Sequence, residues 1–173
     1  DLSETDINST PIGDYFIANT GYYWLLSKEG FPLTDQKYED LFYFRDSIFV
    51  IKTGKLFGLY KPGVGEVLEP IYKSIRTETD TITGRRWTIG LTNPDGYRLL
   101  DENFKQVNDN LYFWFEVVHG RGIIVRVANG NYMVLDTAAR RVCDPAYTAI
   151  RPLPEGLWKV YNGGLCGVMN SQG

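Results

Sequence analysis

The sequence predicts an all-β protein of tandem hairpin or three-stranded units, stacked as an open solenoid or superhelix, with a closed propeller-like ring as the alternative. Three observations predict it. A set of apolar residues recurs every few tens of residues. Short alternating apolar runs are separated by turns rich in Gly and Asn. No stretch sustains the 3.6-residue apolar period of an amphipathic helix.

The repeat is the strongest of these signals. With Phe57 of "FGLYKPG" as position zero, equivalent residues fall at Tyr23, Phe57, Ile89, Tyr132 and Cys166, spaced by 34, 32, 43 and 34 residues. Two residues later stand Leu25, Leu59, Leu91, Val134 and Val168. Ten later stand Leu33, Val67, Leu99 and Val142, fifteen later Tyr38, Tyr72, Phe104 and Tyr147, and eighteen later Leu41, Ile75, Val107 and Ile150. Four full units and the first part of a fifth therefore occupy residues 15–173 as a single repeat domain, behind a polar tail or linker at 1–14. All five position-zero side chains are expected in the core.

Each element of a unit has a local cause. The first strand alternates bulky apolar residues, as in Tyr15 and Ile17, Phe49 and Ile51, or Trp158 and Val160, the pattern of a half-buried strand. The turns "NTG", "KTGK", "ANGN" and "YNGG" follow, where Gly supplies the positive φ of a tight hairpin. A second strand crosses position zero in "YWLL", "FGLY", "YMVL" and "CGVM". A second turn comes at "SKEG", "KPGVG", "NPDG" and "DTAA", with Asp35, Asp95, Asp101, Asp136 and Asp144 at turns. A third strand runs through "EVLEPIY" and "RRVCDPAY", with Pro70 and Pro145 at its far end.

Two units deviate. The third is announced by the polar stretch "RTETDTITGRRW", which reads as a solvent-facing edge. The fourth is read as carrying an insertion, "NDNLYFWFEVVHGRGIIVRVANG", with an extra hairpin turning at His119-Gly120-Arg121-Gly122. The chain opens on Asp and stops at the turn of a fifth unit, so a trimmed end is the expectation, with a capping half-unit as the alternative.

A net charge of -3 gives no reason to expect nucleic acid, and no apolar run approaches the ~20 residues of a membrane-spanning helix. Cys143 and Cys166 match no metal spacing and sit at apolar offsets, so both are expected as buried, reduced thiols. One histidine, His119, stands in a Gly-flanked turn, and no nucleophile elbow, phosphate loop or zinc-protease pattern occurs. No enzyme and no cofactor is expected. The basic pairs Arg85-Arg86 and Arg140-Arg141 read as solubility features, and "TETD" at 77–80 as a solvated strand.

The segments "FGLYKPGVGEVLEPIYKSI", "IGLTNPDGYRLLDENFKQV", "YMVLDTAARRVCDPAYTAI" and "CGVMNSQG" resemble the WG-repeat family, whose units carry Trp-Gly, two aliphatics, a turn Gly and a Pro-x-Tyr tail. Here Trp is absent from every position zero, and the following glycine stands at Gly58, Gly90 and Gly167. "TGYYWLLSKEGFPL" is more weakly similar to the hairpins of choline-binding cell-wall repeats. The resemblance implies a bacterial scaffold of the cell envelope or a secreted one. The expected function is non-catalytic binding of another protein or a surface glycan. The alternatives are a structural, envelope-associated module of a larger protein and, more weakly, an accessory domain of an enzyme. The expected contact residues are Tyr112, Trp114 and Arg121, since strand alternation leaves one aromatic face of "LYFWFEVV" free.

Overall fold

The computed structural model describes residues 8–34, 36–92 and 95–173. Among them sixteen strands form five antiparallel sheets. The first sheet holds β1 (Asn8–Ile12), β2 (Tyr15–Asn19) and β3 (Tyr23–Ser27). The second holds β4 (Asp40–Arg45), β5 (Ile48–Thr53), β6 (Leu56–Lys61) and β7 (Gly65–Tyr72). The third holds β8 (Ser74–Thr79), β9 (Arg86–Thr92) and β10 (Gly96–Leu100). β11 (Trp114–Val118), β12 (Gly122–Arg126) and β13 (Tyr132–Leu135) make the fourth. β14 (Ala149–Pro152), β15 (Trp158–Asn162) and β16 (Leu165–Met169) make the fifth. A 3-10 turn at Pro154–Gly156 is the only helical element among the described residues. Every sheet is an up-and-down meander in sequence order, the repeat β architecture that the periodicity predicts.

Residues 8–12, read from the sequence as part of a polar tail, instead pair with β2 along their whole length. Residues 1–7, Asp35 and the first half of "NPDG" lie outside the described residues.

The chain divides into two compact halves, Asp1–Ser74 and Ile75–Gly173. In the first half, Ile17, Leu25 and Tyr38 pack on Leu41, Phe49 and Ile51 of the next sheet. In the second half, Trp87, Ile89, Leu99 and Tyr112 meet Ile123, Val125, Met133 and Leu135. A second core joins Ile124 and Val134 to Ile150, Trp158, Val160 and Met169. Strand alternation produces this sharing. The odd residues of β12 face one neighbouring core and Ile124 faces the other, so β12 is apolar on both sides and reads as an unbroken aliphatic run.

One register differs from the expectation. In the first, third and fourth repeats the last segment of the sheet is reduced to two bridges. They are Leu26–Pro32 with Tyr23–Tyr38, Leu100–Gln106 with Tyr97–Tyr112, and Leu135–Arg141 with Tyr132–Tyr147. In the second repeat the same segment is the full strand β7, where Phe57 faces Tyr72. Position zero of the third repeat is therefore Tyr97, not Ile89, and the spacings become 34, 40, 35 and 34 residues. Ile89 belongs to the preceding strand, where "TIGL" imitates the "FGLY" of the second repeat. The extra residues fall in the long β8–β9 loop at 80–85. Residues 114–118 and 122–126 do pair as a hairpin, but as the ordinary first two strands of the fourth sheet, so the inserted hairpin is corrected.

The corrected register shows one turn used repeatedly. Four residues after position zero, Ser27, Asp101, Asp136 and Asn170 each accept a backbone N–H with their side-chain oxygen from the residue two ahead. Three residues beyond each cap, at Gly30, Phe104, Ala139 and Gly173, φ is positive. The turn of the third repeat is therefore "DENF" at 101–104, not "NPDG".

Two further expectations change. Of the position-zero residues of the corrected register, Tyr23, Phe57, Tyr97 and Tyr132 are half-buried and Cys166 is exposed. The fully buried rank lies two residues on, at Leu25, Leu59, Leu99 and Val134. Neither cysteine is fully buried. Both are free, Cys143 half-buried and Cys166 exposed, because no described strand covers the outer side of β16. Burial pushes the Cys143 thiol up, opposed by the Val134 N–H donated to its Sγ at 3.4 Å.

Two substitutions test this packing. Leu25→Ala is expected to cost ~2–5 kcal/mol in urea unfolding, since it empties a closed core. Gly122→Ala is expected to cost at least about 2 kcal/mol, because a Cβ collides with the Leu135 carbonyl oxygen at a residue whose φ is +141°.

Candidate functional site

The third repeat ends where Tyr112 pairs with Tyr97, and the chain bends at Phe113 into β11. The bend breaks the alternation expected across this aromatic run. Tyr112 is 1% exposed, its ring in the core between the third and fourth sheets and its hydroxyl 3.0 Å from Asn108 Oδ1. Tyr112 is thus core, which corrects its assignment to the surface. Phe115 lies half-buried against Tyr97 at 5.4 Å, with the Arg76 guanidinium 4.8 Å from its ring.

Trp114 remains. It is 39% exposed, and Phe113 beside it is exposed as well. Across the sheet Trp114 faces Arg126, Arg126 faces Tyr132 and Tyr132 faces Tyr147. Directly opposed residues share a face, so these four form one row. The Trp114 and Tyr132 rings meet edge to face at 5.7 Å and 75°. The Phe113 N–H donates to the Arg126 carbonyl at 2.8 Å and fixes the start of the row to the middle strand. Arg126 carries no sequence signal of its own and Tyr132 only that of the repeat, because a cross-strand row becomes visible only once the register is known.

Arg121 does not join this row. It lies at the β11–β12 turn, and its Nη1 donates to the Leu153 carbonyl, tying the fourth sheet to the loop before β15. His119 in the same turn accepts the Thr81 N–H at Nδ1, 3.2 Å away. The Gly120 N–H donates to both oxygens of Asp80, at 2.9 and 3.0 Å. Asp80 also accepts from Ile82 and Thr83. The carboxylate of "TETD" is therefore a buried clasp between two hairpin loops, not part of a solvated strand. Burial raises its pKa, but the hydrogen bonds from Thr83, Ile82 and Gly120 outweigh it and hold the group below the usual aspartate value.

The basic pairs are engaged locally. Arg85 lies over the Trp87 ring at 4.6 Å, Arg140 pairs with Asp136 at 2.8 Å, and Arg141 with Asp144 at 3.3 Å. Among the described residues no cluster of three or more His, Cys, Asp or Glu side chains converges on a metal-sized site. No helix among them is long and apolar enough to cross a membrane.

No family model and no curated protein matches the chain. Solved structures similar to it include the computationally designed Ika8 protein, at 11% identity and a TM-score of 0.34, matched over 95% of this chain and 57% of that one. BamB from Moraxella catarrhalis matches at 13% identity and a TM-score of 0.30, over 94% of this chain and 68% of that one. The WD40 β-propeller domain of Doa1 matches at 10% identity and a TM-score of 0.32, over 94% of this chain and 67% of that one. The chain thus spans little more than half the length of the designed protein.

Trp114→Ala is expected to cost only about 1 kcal/mol, against ~3–5 kcal/mol for a fully buried tryptophan such as Trp158, when the two variants are unfolded side by side in urea. The Asp80 clasp has a definite pH sign. Its folded pKa lies below its unfolded value, so its contribution is complete above the ordinary aspartate pKa and is lost as pH falls through the folded one. Asp80→Asn should lower Tm at pH 7 and flatten the acid limb of a Tm–pH profile.

Proposed function

We propose that the protein is a non-catalytic repeat scaffold that binds another protein through the Trp114–Arg126–Tyr132 row of its fourth sheet. The observation that carries this reading is the exposed Trp114 edge-packed on Tyr132, with an arginine between them on a β-sheet. Tryptophan, tyrosine and arginine are the residues enriched among those that carry most of the binding energy at interfaces. Placing them on paired strands holds their geometry before a partner arrives. Phe113, next to Trp114 in the chain, is exposed as well. The resemblance to WG-repeat proteins belongs to the same proposal, with the Pro-x-Tyr tails at 70–72 and 145–147 ending the last segments of the second and fourth repeats.

A photo-crosslinking residue at Phe113 tests the reading. Crosslinked protein partners should be captured from the native host. Trp114→Ala and Arg126→Glu should each reduce capture about tenfold or more while circular dichroism stays unchanged. Capture unaffected by either substitution overturns the site. Trp114-dependent binding to a carbohydrate array, without protein capture, replaces the protein partner with a glycan.

A further inference from the structure

Arg126 occupies a place in the repeat where a cation is the exception. The residue directly opposite position zero is Asn19, Lys52, Leu91, Arg126 and Tyr161 in the five repeats. The two cations have different surroundings. Lys52 stands across the ladder from Asp40, so the second repeat sets a carboxylate of its own opposite the charge. In the fourth repeat Trp114 takes the place of Asp40.

The Arg126 guanidinium is thereby left without an acceptor. The residue is half-buried, and among the described residues its side chain takes part in no hydrogen bond, ion pair or ring contact. By contrast Arg76, Arg140 and Arg141 of the same half pair with Glu78, Asp136 and Asp144, and Arg121 donates to the Leu153 carbonyl. Glu116, the acid of β11, is exposed two residues beyond Trp114 and forms no ion pair with Arg126.

A half-buried guanidinium with uncommitted donors favours an anion that can take them. Its planar N–H fork matches the two oxygens of a carboxylate, and partial burial strengthens such a pairing relative to open water. The protein as a whole carries a net charge of -3, so long-range attraction works against an acidic ligand. A preference for acid at this row would therefore be local to Arg126.

We infer that the partner presents an aspartate or glutamate side chain to Arg126, next to an apolar side chain that meets Trp114. This rests on the reading of the row as a protein-binding site. The partner's carboxylate takes the part that Asp40 plays opposite Lys52, and accepts two N–H groups of the fork. The exposed indole of Trp114 supplies the apolar half of the contact.

The test selects a random linear peptide library, displayed on phage, against the 173-residue chain. Clones that bind this chain but not Trp114→Ala should carry Asp or Glu beside an aliphatic or aromatic residue. For a synthetic copy of one such clone, replacing the acid by its amide should weaken binding about tenfold or more in anisotropy. The same replacement should have little effect on binding to Arg126→Gln, and Arg126→Glu should favour Lys in place of the acid. Circular dichroism checks that each variant is folded. Trp114-dependent binding with no preference for acid, or with a preference that survives in Arg126→Gln, overturns the inference and leaves the row a binding site. A preference for phosphoserine over glutamate at the same peptide position assigns Arg126 to phosphate and overturns it as well. If no selected clone depends on Trp114, the protein-binding reading of the row fails and takes the inference with it.

Discussion

The first four sheets each depend on one backbone closure, the pairing of the position-zero residue with the tyrosine fifteen residues later. A two- or three-stranded meander leaves an unpaired edge and an incompletely covered aliphatic row. Where Tyr38, Tyr112 and Tyr147 return to the third strand, both are resolved together, and the tyrosine ring is delivered to the core shared with the next sheet. The closure needs only two bridges, so the segment between them is free to bend. Asp, Asn and Pro accumulate there without cost to the ladder, since the lost donor of a proline is not called upon.

Much of this was legible in the chain. The alternation at Phe49–Ile51 and Trp158–Val160 marks strands directly, because a half-buried strand has no other way to hide apolar side chains. The period of the repeat was equally plain in four of the five repeats. The third misled because its local sequence satisfies two registers. "TIGL" carries the same aliphatic pattern as "FGLY", and nothing local distinguishes a second strand from a third. The long-range pairing of Tyr97 with Tyr112 decides between them, and a propensity argument does not see it.

The proposed contact residues show the same limit. Trp114 stood out by composition, but its neighbours in the row, Arg126 and Tyr132, lie 12 and 18 residues away along the chain. Tyr112 looked equivalent to Trp114 by alternation and is not, because the bend at Phe113 separates the end of one sheet from the start of the next. Asp80 looked like one polar residue among several, yet it is the buried member of a clasp whose other half lies 40 residues away. In each case the missing information was tertiary: which strand stands beside which.

The capped turn bears on how such a chain can change over generations. A positive φ ordinarily demands glycine, yet Phe104 and Ala139 adopt it beside the aspartate caps of their turns. Once the oxygen four residues after position zero holds the loop, the left-handed site is released from its usual occupant. Serine and asparagine hold the same loop at Ser27 and Asn170, where the left-handed site is still glycine. Geometry is inherited through a rule about atoms, with little restriction on letters. Neighbouring repeats within one molecule can thus diverge until little but spacing is shared, while the backbone they describe stays the same.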